Sequence, residues 1–193
     1  MLQKLKRKFP LAEIIRPDAE FGFVKPELVD SLSSNFEPNW VFLEANESNL
    51  VISMTSMLNA QNNEDRSFKL MTTYRDNVYD DDNIDLGHLG NLNFTYPSPY
   101  NVNPVTLAEF QAIYQERFGA IPSREAVRGY ELVTDLVLRT AIRRKLIDGF
   151  SLGETEYTQN KFLFERDYSG NGYRNNSIYL LQHQDFETIE KNE

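Results

Sequence analysis

The stretch Asp167-Tyr168-Ser169-Gly170-Asn171-Gly172 opens as a calcium loop does, with oxygen-bearing side chains at alternate positions and glycine at the sixth. The position that must supply a bidentate glutamate holds Ile178, so the stretch reads instead as a glycine-rich turn. Asp76, Asp80, Asp81, Asp82 and Asp85 could offer hard oxygen ligands to a metal-dependent hydrolase. Adjacent like charges in a polar stretch read more simply as a solvated loop. His88 and His183 are the only histidines, and their separation forms no ligand motif. With no cysteine there is no disulfide, thiolate nucleophile or zinc-thiolate site. No Gly-x-Ser-x-Gly elbow, Walker loop or dinucleotide fingerprint is present, and Glu154 and Glu156 show no sign of a shared acid-base site. These residue types point away from catalysis, and neither a cofactor nor a bound metal is expected.

What remains is a site set by architecture. Leu11 to Ile15 reads as a buried strand ended by the turn Arg16-Pro17-Asp18, and Trp40 to Leu43 and Phe68 to Thr72 read as two more. Between them lie helical patterns. Lys25 to Phe36 carries Pro26 in its first turn with Val29, Leu32 and Phe36 at helical spacing. The next helix, capped by Asn46 or Ser48, turns Leu50, Val51, Met54, Met57 and Leu58 to the core. Strands alternating with helices need crossovers, so the three strands are expected to pair in parallel, giving an α/β fold with a mainly parallel sheet in a three-layer sandwich. Open sheets of this kind bind ligands beyond the carboxyl ends of their strands. Two loops stand there. Glu44 to Glu47 brings the acceptors Glu44, Asn46 and Glu47 and a helix N-terminus, which suits a ligand with an ammonium and an anionic group. Thr73 to Asp76 brings Tyr74 as an aromatic wall and Arg75 as a carboxylate donor.

Further along, Gly90 to Tyr96 reads as a fourth extended segment, and Tyr96-Pro97-Ser98-Pro99-Tyr100 as a linker unsuited to helix or central strand. Pro104 to Leu146 then reads as two helices. Thr106 and Glu109 fit a capping box at the first, whose apolar face is Leu107, Phe110, Tyr114 and Phe118, with Gly119 as the left-handed exit. Ser123 caps the second, with a stripe of Ala126, Tyr130, Val133, Val137 and Ala141 widened by Leu132 and Leu136. Both stripes are expected in the core, with Tyr130 buried and Gly129 allowing a close approach. Arg139, Arg143, Arg144 and Lys145 are placed to favour the helix C-terminus. Lys145 to Asn160 crosses back, and Lys161 to Glu165 and Ser177 to Gln182 read as a hairpin around the loop Asp167 to Asn176.

Composition sets the outer bounds. A chain of 193 residues that is 40% hydrophobic can build one sizeable core or two small lobes. Its net charge of -9 disfavours nucleic acid and anionic lipid as partners, so the basic cluster Lys4, Lys6, Arg7 and Lys8 reads as a solvated helix end. No run is long enough to cross a membrane as a helix, and the first residues lack the apolar region of a signal peptide.

The order Phe110, Tyr114, Phe118-Gly119, Pro122, Ala126, Gly129-Tyr130, followed by a leucine-rich helix, resembles a segment of the type I periplasmic solute-binding proteins of the leucine/isoleucine/valine receptor kind. Pro38 to Ala45 resembles that family's strand within the second lobe, and Phe162 to Leu181 its closing hairpin near the hinge. The resemblance covers the later part of the family's fold; the first lobe has no counterpart here. It implies an α/β lobe over 1–97, a linker and helical pair belonging to the other lobe over 98–149, and a return crossover with closing hairpin over 150–193. It further implies non-enzymatic binding of an amino-acid-like solute in an inter-lobe cleft, as part of an ABC-transporter solute-binding protein or envelope sensor. The alternative is a structural or interaction module of the cell envelope with an idle cleft. The implied partners are a small-molecule ligand, a membrane permease and the missing first lobe. The implied location is the periplasm or cell envelope, with the export signal upstream.

Overall fold

The computed structural model describes residues 6–18 and 22–191. The chain forms two compact units, Met1–Tyr96 with Gln182–Ile189, and Pro97–Leu181 with Glu190–Glu193. The polypeptide passes from one to the other between Tyr96 and Pro97, between Leu181 and Gln182, and between Ile189 and Glu190.

In the first unit, α1 (Pro26–Leu32) starts on the proline, where a missing N–H costs nothing, and buries Val29. It is followed by β1 (Asn39–Phe42), α2 (Ser48–Gln61) and β2 (Phe68–Met71). β1 and β2 pair in parallel from Asn39 against Phe68 to Phe42 against Met71. α3 (Leu86–Asn91) then leads to β3 (Thr95–Ser98), which pairs in parallel with β2 through Met71 and Thr95. With β8 (Tyr179–Gln184) and β9 (Glu187–Glu190) the sheet order is β1-β2-β3-β8-β9. The fold is therefore α/β with a mostly parallel central sheet. Val51 and Leu58 of α2, Phe68 and Leu70 of β2, and Leu89, Leu92 and Phe94 are sealed from solvent and form its core.

Several expectations need correction in this unit. Leu11 to Ile15 is not a strand: residues 12–18 have no regular structure, and Leu11 is 93% exposed. Their backbone bonds close local turns, Ala12 to Phe9 and Asp18 to Phe23, because Pro10 and Pro17 bracket the run. The cap of α2 is Glu47, with no side-chain bond, rather than Asn46 or Ser48. Gly90 and Asn91 are helical, so the fourth strand starts only at Thr95. That strand also contains Pro97, which a central strand was expected to exclude; the register toward β2 ends at Thr95, so no ladder bond to β2 is asked of Pro97.

In the second unit, α4 (Pro104–Phe118) is capped by Asn103, whose Oδ1 accepts from the N–H groups of Val105 and Thr106 at 3.1 and 3.3 Å. The helix thus begins before the capping box expected at Thr106, with Pro104 in the first turn. It ends on Gly119 at φ 69°, the left-handed exit. α5 (Arg124–Arg143) is capped by the Ser123 hydroxyl, which accepts from Ala126 N at 3.2 Å. Its burial inverts the expectation. Val127, Glu131, Asp135 and Arg139 are buried, while Tyr130, Val133 and Val137 are about three-fifths exposed at 58%, 60% and 60%. α4 buries no residue at all; the Tyr114 ring instead packs at a tilt between those of Phe110 and Phe118, and Phe110 meets Tyr130 of α5. Gly129 faces open space.

The inversion has a polar cause. The segment after α6 (Leu146–Gly149) lies on α5 and leaves backbone carbonyls that need donors. Arg139 supplies them to Gly149 O, Gly153 O and Phe162 O at 3.1, 3.0 and 3.1 Å, and its Nε donates to Asp135 at 2.6 Å. Asp135 also accepts from Thr155 and Tyr157, and Glu131 from Gln159 N and Asn160. Burial, with the Asp135 charge beside it, pushes the Tyr157 phenol up to about 12. Arg139 therefore organises the unit rather than serving the helix C-terminus. The two-residue strands β4 (Thr155–Glu156) and β5 (Lys161–Phe162) pair here, and β6 (Phe164–Asp167) pairs with β7 (Gly172–Asn175). The hairpin is thus tighter than expected, and Tyr179 to Gln182 joins the central sheet rather than pairing with Lys161 to Glu165. The Asp167 carboxylate accepts from Ser169 N and Oγ at 2.9 and 2.7 Å, which makes the stretch a turn.

Candidate functional site

The carboxyl ends of β1 and β2 lie side by side because their register is fixed, and the loops that leave them meet. Leu43 N donates to Met71 O at 2.8 Å, carrying the pairing one step past β1. Glu44 Oε1 then accepts from Thr73 N at 2.7 Å, tying the two loops together through the side chain. The Thr72 hydroxyl donates to Tyr74 O at 2.9 Å, closing a turn that presents Tyr74, 70% exposed, at the surface. Below them Tyr79 is buried and its hydroxyl donates to Leu43 O at 3.1 Å; burial pushes its phenol up to about 12.

Arg75 turns its guanidinium onto Asp80, with Nη1 donating to Oδ2 at 3.2 Å and Nη2 to Oδ1. Its hydrogen bond holds the Asp80 carboxyl below the usual range. The same guanidinium stands over the Tyr96 ring at 5.2 Å. Tyr96 continues an aromatic cluster: Phe94 lies 5.3 Å away, Tyr79 stacks on Phe94 at 4.7 Å, and His183 lies 5.7 Å from Phe94 and 5.8 Å from Tyr96. Burial, and secondarily the charge of Arg75, lowers the His183 pKa from its ordinary value. Its Nε2 is buried with no hydrogen-bond partner.

Of the residues named from the sequence, Glu44, Tyr74 and Arg75 belong to the loops joined by the Glu44 bond to Thr73. Asn46 and Glu47 stand exposed further along, Glu47 as the backbone cap of α2. Tyr79 and Tyr96 were not read as site residues; Asp80 was weighed only as part of the acidic run and His183 only as one of two histidines without a ligand motif. Three others of that run serve local structure: Asp76 and Asp85 cap helical turns and Asp81 accepts from Asn83. Among the described residues no cluster of His, Cys, Asp and Glu could hold a metal ion, and no helix is long and apolar enough to cross a membrane.

No protein-family model matches the chain, and no curated protein is similar to it in sequence. Solved structures align with it in fold. A protein from Rhodospirillum rubrum, described as a branched-chain amino acid ABC transporter, aligns with a TM-score of 0.50 at 13% identity, over 86% of this chain and 47% of that one. The chain shares part of that fold. An ABC transporter substrate-binding protein from Desulfitobacterium hafniense, solved in complex with Leu, aligns with a TM-score of 0.45 at 15% identity and the same coverage. This chain therefore spans about half the length of either solved protein.

Proposed function

We propose that this chain is part of a solute-binding protein of an ABC transporter, and that the loops after β1 and β2 form one wall of a cleft for an amino-acid-like solute. The observation that carries the reading is the junction of Glu44 with Thr73 at the carboxyl ends of two parallel strands, where open sheets take ligands. Glu44 offers an acceptor for an ammonium group, Tyr74 an apolar wall, and Arg75 a fork that suits a carboxylate. Such a ligand would share Arg75 with Asp80 or displace it. Asn46 and Glu47 extend the wall. No bond is made or broken in this reading: binding selects a closed state to the extent that the ligand prefers it. The opposite wall would come from the half of the fold that this chain does not span, and the whole would work in the periplasm with a membrane permease.

One wall alone gives up part of the interaction free energy and leaves the ligand wet. Titration of isotope-labelled chain with L-leucine, followed by NMR, should show shifts at Glu44, Thr73, Tyr74 and Arg75 with a dissociation constant of roughly 1 mM or weaker. Tyr74→Ala and Arg75→Ala should weaken binding with unchanged circular dichroism. Shifts confined elsewhere, or none at saturating ligand, would overturn the site, and sub-micromolar affinity would mean that the cleft is already complete.

A further inference from the structure

One titratable group next to the proposed wall has no task in it. His183 is fixed in the sheet by its backbone, whose N–H donates to Phe94 O at 2.9 Å, and its ring packs on those of Phe94 and Tyr96. Its Nε2 is sealed from water with no hydrogen-bond partner among the described residues. A neutral imidazole in that setting leaves one hydrogen bond unmade, whereas an imidazolium would also lose the hydration of its charge. The Tyr96 ring that His183 touches carries the Arg75 guanidinium at 5.2 Å, so two basic side chains share one aromatic neighbour. Like charges so placed oppose each other, and only the histidine can give its charge up. The other groups about it leave this pair alone. Tyr79 and Tyr96 are phenols, Asp80 is committed to Arg75, and β9 sets Thr188 opposite His183, since Lys191 N donates to Leu180 O.

We infer that His183 and Arg75 act as a linked pair, in which the imidazole stays neutral while the charge of the guanidinium reaches it and takes up a proton when a ligand carboxylate covers that charge. The carboxylate itself rests on the function proposed above. An added anion favours the protonated imidazole, so proton and ligand each strengthen the binding of the other, and the wall holds a carboxylate more tightly as pH falls. The sign follows from the two causes that lower the His183 pKa from 6.5, burial first and the Arg75 charge second. A bound anion opposes the second, so the complex takes its proton at a higher pH than the free chain. Affinity therefore rises as pH falls through the value in the complex and levels off below that of the free chain. Asp80 cannot supply this response: its hydrogen bond from Arg75 holds its carboxyl below the usual range, and it stays charged throughout.

Two measurements separate the pairing from the solute site. His88 and His183 are the only histidines, so His183→Phe assigns the imidazole signals in NMR spectra. In the ligand-free chain His183 should titrate at a higher pH in Arg75→Gln than in the unmodified chain, and an unchanged midpoint would overturn the pairing whether or not any solute binds. The dissociation constant for L-leucine, followed by NMR, should then fall by about threefold or more between about pH 7.5 and about pH 5. Leucinol, which has no carboxylate, should show no such gain, and His183→Phe should abolish it for L-leucine. An affinity that ignores pH, or a gain that persists in His183→Phe, would overturn the linkage. If L-leucine fails to bind at either pH while the ligand-free midpoint still moves in Arg75→Gln, the solute reading falls and the pairing stands.

Discussion

At the scale of single residues, Arg139 is the side chain on which the second unit most depends. It is buried with Asp135 and donates to three backbone carbonyls, so Arg139→Met strips Asp135 of its counter-charge, leaving it only the hydroxyls of Thr155 and Tyr157, and removes the guanidinium from those carbonyls. Urea denaturation should show a loss of roughly 3 kcal/mol or more. A loss below about 1 kcal/mol would mean that water replaces the guanidinium. Tyr130 should behave in the opposite way. Being 58% exposed, it gives up little on truncation, and Tyr130→Ala should cost less than about 1 kcal/mol where a core aromatic would cost about 3. His183 carries a pH dependence with a definite sign. Unfolded, it takes up a proton near its ordinary value of 6.5; folded, burial holds the pKa lower. As pH falls below 6.5 the unfolded chain binds more protons than the folded one, so stability declines until the folded value is reached. His183→Phe keeps a ring beside Phe94 and Tyr96 and removes the proton, so thermal midpoints measured across this window should lose part of their slope.

At the scale of elements, two glycines mark where helices and their neighbours come closest. A Cβ on Gly90 would stand 2.4 Å from the carbonyl oxygen of Asp185, in the turn between β8 and β9, so α3 can lie against that turn only without a side chain. Gly90→Ala should destabilise by roughly 1 to 3 kcal/mol, as overpacking does, and thermal denaturation would show it. Gly129 is the control. It lies within α5 with nothing nearby, so Gly129→Ala should stabilise by about 1 kcal/mol through helix propensity alone. Equal effects at the two positions would contradict the packing of α3. The sequence placed neither glycine correctly: Gly90 read as the start of an extended segment and Gly129 as the site of a close approach, because what each glycine meets is set by a neighbour across space.

At the scale of the whole molecule, the proposed site makes binding depend on a competition. Asp80 neutralises Arg75, so a ligand carboxylate must work against that pair. Asp80→Asn should strengthen L-leucine binding by about 1 kcal/mol, roughly fivefold, while leaving leucinol, which has no carboxylate, unaffected. NMR titration of the two ligands separates this from a general change in fold. Much of the architecture behind this site was legible in the chain itself. Alternating β and α patterns over Trp40 to Met71 determined parallel pairing, because a parallel neighbour needs a crossover, and Ser123 and Gly119 marked helix ends through purely local bonds. The loops after Trp40–Leu43 and Phe68–Thr72 could be named for the same reason. Only the tertiary structure decided which face of α5 turns inward. Hydrophobic periodicity assigns the apolar stripe to a core, but the returning segment 149–162 presents carbonyls that Arg139 and its acidic neighbours must satisfy, and unmade buried hydrogen bonds outweigh an exposed valine. Tyr96 and His183 could not be tied to Arg75 for a related reason: they lie far from it along the chain and meet it only through the order of strands β2, β3 and β8 in the sheet.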